Sequence, residues 1–419
     1  MIIMSLPPCR FDLMAKYLYV KSEDKKLQTN FFKHLYHKHL ITFNGCMELP
    51  DTTIGEESIA KTNITVFMDT FNNLIANIKQ NGYDERFPVP IGNNGVIING
   101  AHRLVTSYYY DVIPKTVSMN ETGNTGYNYN FFLNRESKPK LEEHYADAMA
   151  LEYIKHNPSV RTMIIYPSAY NMDIIKKIIE IINSYGYIYY HKFVMLTTKG
   201  VNNLIKEQYR GEDWIGGLFP KGWSPGGKAS RCVINNPVNP VLYISICMND
   251  VNKCIELKEI CRAQYNLGKH SLHMSDYTSD TFRISSALLN KNSIHFLNNG
   301  TNDISDETKK LLQLYFKQDI TEDYCLTSSL ILEMYGLRKA NDIDYLHKDD
   351  NKLDGFGLHS SEWLTHYGSG KDDIIYDPNN HFYFNGLKFA SIEVVKKMKQ
   401  NRKEKKDVDD LQLISNLKI

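Results

Sequence analysis

The chain has 419 residues, 42% hydrophobic and 23% charged, with 49 Lys plus Arg against 48 Asp plus Glu and a formal charge of +1. At about 150 residues per domain this is enough for two to four domains, and the mixture is that of a globular protein, not of a disordered or fibrous one. The near-zero charge disfavours nucleic acid as the main partner, since proteins that coat phosphate backbones carry a clear basic excess.

The opening run, MIIMSLPPCRFDL, breaks at Pro7-Pro8 and meets Arg10 and Asp12, so it is not read as a signal peptide. In Lys33-His-Leu-Tyr-His-Lys-His, helical spacing brings His34 and His37 together, but zinc would need a third ligand and none is evident; His34, His37 and His39 are expected to be exposed. Phe87 to Ile91, the turn Asn93-Asn94-Gly95 and Val96 to Gly100 read as a hairpin, because Asn-Gly between β-branched runs is a strong turn signal. Residues 120–130 read as an exposed loop, and Leu141 to His156 as a connecting helix with Tyr145, Met149, Ala150 and Tyr153 on one face.

A second block starts with a strand, Arg161 to Tyr166, and a helix, Met172 to Ser184, which Gly186 is placed to stop. A strand over 187–198, a helix over 201–209, a strand over 241–247 and a helix over 278–289 follow. This alternation predicts a sheet with helices on one face, in the split βαβ pattern. Gly216-Gly217 and Pro225-Gly226-Gly227-Lys228 lack the full phosphate-loop spacing and read as surface loops. Trp214 reads as packing.

A third block has a helix over 307–317, Ser328-Ser329, a helix through Met334, a strand over 343–346, a basic helix over 392–403 and a last helix from about Asp407. No stretch of 18 uncharged apolar residues offers a membrane span. Seven cysteines without a Cys-x-x-Cys pair read as reduced thiols of a cytoplasmic protein.

Pro90-Ile91 followed by Asn99-Gly100-Ala101-His102-Arg103-Leu104 resembles the ParB/sulfiredoxin fold. Glycine lets a backbone approach a ligand, a helix start offers free N–H donors, and arginine adds a forked cation. Members bind CTP or ATP, and relatives include a free-serine kinase. The resemblance therefore implies a nucleotide or phosphate held by Asn99, Gly100, His102 and Arg103, with Glu56 or Glu57 as an upstream acid.

The second block resembles nucleoside diphosphate kinase, chiefly through Gly268-Lys269-His270-Ser271-Leu272-His273-Met274-Ser275-Asp276. The resemblance implies His273 as a phosphoryl-accepting nucleophile, Ser275 as a supporting hydroxyl and Arg262 as a phosphate clamp. A neutral imidazole suits that role near pH 7. Tyr166 and Ser168 replace the family's lysine and aspartate, and Ile284 falls where its orienting glutamate stands.

The third block resembles DNA polymerase beta-like nucleotidyltransferases. Ser328 and Ser329 stand at the expected phosphate turn, followed by a short helix, Arg338, and Asp342-Ile-Asp344. Alternation along a strand puts both aspartates on one face for Mg²⁺. The resemblance implies a third carboxylate, Asp373 or Asp377, with Asp377 taken here as the metal ligand.

The expectation is thus an α+β chain of three domains: residues 1–135 ParB/sulfiredoxin-like, a linker helix over 136–158, residues 159–297 ferredoxin-like in the manner of nucleoside diphosphate kinase, and residues 298–419 nucleotidyltransferase-like. It would be a cytoplasmic Mg²⁺-dependent phosphotransferase or nucleotidyltransferase using ATP or CTP on a small metabolite, such as a sugar or polyol for a surface glycan. Two alternatives stay open. One is a nucleotide-binding regulatory or scaffold protein with degenerate catalytic domains, and the other a ParB-like DNA-binding protein or nuclease.

Overall fold

The computed structural model describes residues 6–49, 60–136, 138–218, 227–233, 239–301, 304–318 and 321–417. The chain is mixed α/β, 51% helix and 14% strand, and divides into two compact units, Met1–Asn157 and Pro158–Ile419.

The first unit runs α1 (Asp12–Asp24), α2 (Phe31–Asn44), α3 (Ile64–Asn81), β1 (Val89–Ile91), α4 (Ala101–Tyr109), β2 (Thr116–Ser118), α5 (Tyr129–Leu133) and α6 (Glu143–His156). Helix α1 is buried on every face from Asp12 to Ser22, so its charges must find partners inside. Lys21 meets Glu152 of α6 at 2.8 Å, and Asp12 lies between Arg10 and Lys16, each at 2.8 Å. The turn at 92–95 forms, with Gly92 N donating to Val96 O at 2.9 Å. Among the described residues its returning arm makes only one bridge, Ile91 to Ile97, because the chain enters α4 four residues later, at Ala101. Strand β1 pairs instead with β2, in parallel, and α4 supplies the crossover that a parallel pair needs.

The second unit continues with β3 (Val160–Ile165), α7 (Met172–Tyr185), β4 (Gly186–Val194), α8 (Thr198–Gln208), α9 (Lys228–Val233), β5 (Val241–Met248), α10 (Cys254–Arg262), β6 (Leu272–Met274), α11 (Thr278–Leu288) and α12 (Lys291–Asn299). The four strands form one antiparallel sheet in the order β4-β5-β3-β6. Met163, Ile165, Leu242, Ile244 and Leu272 face α7 and α10 on one side. On the other side Thr162 and Tyr243 hydrogen-bond Ser285 of α11. Helices therefore cover both faces, not one, because the alternate residues of these strands are also buried. Gly186 ends α7 with an extended backbone. Its side-chain position is closed by Cys247 O, 2.3 Å from where a Cβ would sit.

The remaining elements are α13 (Asp306–Tyr315), β7 (Tyr324–Thr327), α14 (Ser329–Met334), β8 (Asp344–His347), β9 (Gly357–Leu358), α15 (Ser361–Tyr367), α16 (Lys371–Tyr376), β10 (His381–Phe384), β11 (Leu387–Ala390), α17 (Ile392–Arg402) and α18 (Lys405–Ser415). They build a mixed sheet ordered β10-β11-β7-β8-β9. All seven cysteines are free thiols. Among the described residues no helix is long and apolar enough to cross a membrane.

Candidate functional site

A cavity of about 880 Å³ opens in the first unit, and the whole segment Asn99-Gly100-Ala101-His102-Arg103 lines it. That volume lies within the usual range for small-molecule and cofactor sites. Gly100 caps α4 with φ +78°, a left-handed conformation that favours glycine, and its N–H bonds Asn99 Oδ1 at 2.6 Å. The first intrahelical bond of α4 is Leu104 N to Gly100 O, so the amides of Ala101, His102 and Arg103 precede the hydrogen-bond ladder at the cavity wall. Arg103 Nη1 donates to Phe87 O at 3.1 Å, which holds the guanidinium over the helix start.

Phe67, Phe71, Leu74 and Ile78 of α3 line another side, spaced to share one helix face. Arg10, Lys16 and Lys61 add cations; Asp12 and Glu48 add carboxylates. Asp12 is bound by Arg10 through both oxygens and by Lys16. Burial works to raise its carboxyl, and the two cations outweigh it and hold the group far below the usual range. Glu48 meets Lys61 at 3.1 Å, and their backbones form a two-bond bridge. His102 Nε2 shares a 2.8 Å hydrogen bond with Tyr36 Oη. Burial, then Lys16 and Lys61, pushes its ring well below the ordinary histidine range, so it is neutral at pH 7.

His34 is exposed as expected, but His39 is fully buried. It stacks with Phe43 and Phe132 at ring distances of 5.7 and 5.4 Å, the apolar face of α2 having claimed it. Glu56 and Glu57 lie outside the described residues. The residues that sequence reasoning missed here are Arg10, Asp12, Lys16, Glu48 and Lys61. Asp12 and Lys16, four apart in an otherwise apolar run, were the available signal.

In the second unit His273 sits on β6, 8% exposed. Its Nδ1 bonds Tyr209 Oη at 3.2 Å, so a tyrosine takes the place expected for an orienting carboxylate. Burial, then Lys258, Lys228 and Arg262, keeps the ring neutral. Ser275 Oγ accepts from Thr162 N at 2.9 Å and meets Thr281 Oγ1 at 2.7 Å. Arg262 bonds Glu259 at 2.7 Å and Leu272 O at 3.3 Å. Both side chains are tied to their own sheet and helix.

In the last sheet Ser328 has φ +63° and ψ −135°, a region that is costly for any residue but glycine. Ser329 Oγ donates to Asp342 at 3.3 Å, and Asp342 is exposed. Asp344 meets His359 at 3.5 Å. Burial raises its carboxyl, and His359 and the Ser328 hydroxyl outweigh that and hold it low. Two of the implied residues have other partners. Arg338 is no free phosphate ligand: it grips Asp410 through two bonds of 2.5 and 2.9 Å, because Asp410 is buried on α18 and needs cations, Lys399 being the other. Asp377 does not join Asp342 and Asp344. It accepts two 2.8 Å bonds from Asn379 in the turn before β10. Among the described residues no group of three or more His, Cys, Asp or Glu is arranged to hold a metal ion. Asp342 and Asp344 alone, one exposed and one half-buried carboxylate two residues apart, would need substrate phosphates to complete a Mg²⁺ shell.

Comparison with protein-family models, with curated proteins and with solved structures finds no match to this chain.

Proposed function

We propose that the chain is a nucleotide-dependent transferase of phosphorus-containing groups, and that the cavity of the first unit is where it works. The observation that carries this reading is the convergence there of the α4 amides, Arg103, Lys16 and Lys61 on a volume that fits a nucleotide. The terminal phosphates of ATP or CTP would lie on the α4 amides and Arg103, and the base against the α3 wall. Asp12 is locked by two cations, whereas among the described residues Glu48 has one ion-pair partner, Lys61. Glu48 would accept the proton of a metabolite hydroxyl as its oxygen takes the terminal phosphoryl group and the nucleoside diphosphate leaves.

The test is nucleotide binding and phosphoryl transfer to a panel of sugars, polyols and hydroxy amino acids, with Mg²⁺. Arg103→Ala should lose binding, and Glu48→Gln should bind nucleotide but not transfer. Binding that survives Arg103→Ala unchanged would refute the assignment. Binding without transfer to any acceptor would favour a nucleotide-sensing role.

A second reading is nucleotidyl transfer in the second unit. Ser328 holds a glycine-like backbone next to Asp342 and Asp344, strain that a phosphate turn would explain. The sheet order β4-β5-β3-β6, two parallel strands split by an antiparallel one, likewise supports the ferredoxin-like reading of residues 159–297.

A further inference from the structure

Arg10 and Lys16 line the cavity of the first unit and are 5% and 3% exposed. Both donate to the same oxygen, Asp12 Oδ2, at 2.9 and 2.8 Å, so the two head groups stand side by side around one carboxylate. Arg10 also gives Nε to Asp12 Oδ1 at 2.8 Å and Nη1 to Ile97 O at 3.1 Å, which leaves two of its five N–H donors. Lys16 reaches Asp12 O at 3.5 Å with its next donor and rests over Phe43, 5.5 Å from the ring centroid. Glu48, whose charge acts on Lys16, pairs with Lys61 at 3.1 Å. Among the described residues this part of the cavity thus sets three cations against two carboxylates, and a buried charge left over is costly until an anion meets it. The third acid of the described lining, Asp84, is held by the Arg86 fork at 3.0 and 2.6 Å. Each of these acids already has a cation, so none is left to receive an ammonium.

Resting on the transferase reading of this cavity, we infer that the acceptor is a hydroxy acid without an amino group, its carboxylate on Arg10 and Lys16 and its hydroxyl towards Glu48. One surplus charge matches a carboxylate, whereas a phosphate monoester carries close to two. The planar carboxylate also suits the paired donors of arginine. An amino acid would bring an ammonium beside three cations, and a neutral polyol would leave the surplus charge unmet. In the transfer the acceptor oxygen forms the new O–P bond and its proton passes to Glu48. The nucleoside diphosphate leaves with the bridging oxygen and its electron pair.

The experiment is phosphorylation of matched acceptors by the full chain with Mg²⁺ and ATP or CTP. D-glycerate is set against glycerol, D-gluconate against glucitol, and D-glycerate against L-serine, in which an ammonium replaces one hydroxyl. In each pair kcat/KM should be roughly 10- to 100-fold higher for the hydroxy acid, the worth of a charged hydrogen bond. Lys16→Gln should lower the glycerate-to-glycerol ratio about 10-fold, with the loss appearing in the KM for glycerate. Transfer to glycerol, glucitol or L-serine as fast as to the hydroxy acids would overturn the inference and leave the transferase reading standing. No phosphorylated product from any acceptor would overturn that reading and the inference with it. Should Lys16→Gln not fold, the ratios of the unaltered chain decide.

Discussion

The Asn99–Arg103 segment and the Ser328–Asp377 segment both suggested phosphate handling, and they ended differently. In the first unit five consecutive residues open a helix, and every one of them lines the cavity. In the second unit the implied residues span nearly 50 positions. Two of them have been claimed by other partners, Arg338 by Asp410 and Asp377 by Asn379. A motif folded into one helix start carries its geometry with it, since the cap, the first-turn amides and the next side chains are fixed together. A motif assembled from distant positions depends on each residue lacking a better partner, and a buried carboxylate such as Asp410 is a better partner for Arg338 than solvent.

That contrast can be broken most directly at Arg103. Arg103→Ala should lower phosphoryl transfer roughly 100-fold, the size seen when one transition-state donor is removed, with the melting temperature little changed. Arg338→Ala should do the reverse. It should cost about 2 kcal/mol of second-unit stability in urea unfolding, by removing charged hydrogen bonds to Asp410, and leave nucleotide binding as it was. Equal losses of activity from both substitutions would erase the distinction between the two segments.

The first unit should also lose stability in mild acid. His39 is buried and His102 half-buried, and both are held neutral, loss of water being the first cause for each. An unfolded histidine takes a proton near pH 6.5, so below that the unfolded state binds more protons and stability falls as pH drops. The slope should reach at most about 1.4 kcal/mol per pH unit for each histidine. Amide exchange of α1 between pH 7.5 and 5.5, corrected for intrinsic rates, measures it; a flat profile would mean both rings are charged in the fold. The smallest effect is expected at Ser328, where Ser328→Gly relieves φ +63° and should stabilise the second unit by about 1 kcal/mol.

Much of the fold was legible for plain reasons. The Ile174–Ile182 stripe, the strand over 161–166 and the basic helix over 392–403 have local periodicity that burial only ratifies. Helix α1 was not legible, because it is buried all round and so lacks an apolar stripe. Strand β6, three residues long, is too short to show alternation, although it carries His273. The Asn385-Gly386 turn between β10 and β11, with both residues at positive φ, was a readable hairpin signal that went unused. In the site, the α4 start could be read from its motif. The Asp12–Lys16 spacing signalled only a charge pair inside an apolar run, and nothing local in residues 10–16 shows that it lines one cavity with residues 99–103. Nor could Arg338's partner be read 72 positions ahead.

The central claim is that nucleotide sits at the α4 start, and hydrogen exchange with and without saturating Mg²⁺-ATP or Mg²⁺-CTP tests it most directly. Protection should appear at the amides of residues 100–104 and be abolished by Arg103→Ala. Saturating nucleotide that leaves those amides unprotected, while slowing exchange only within residues 158–419, would contradict it.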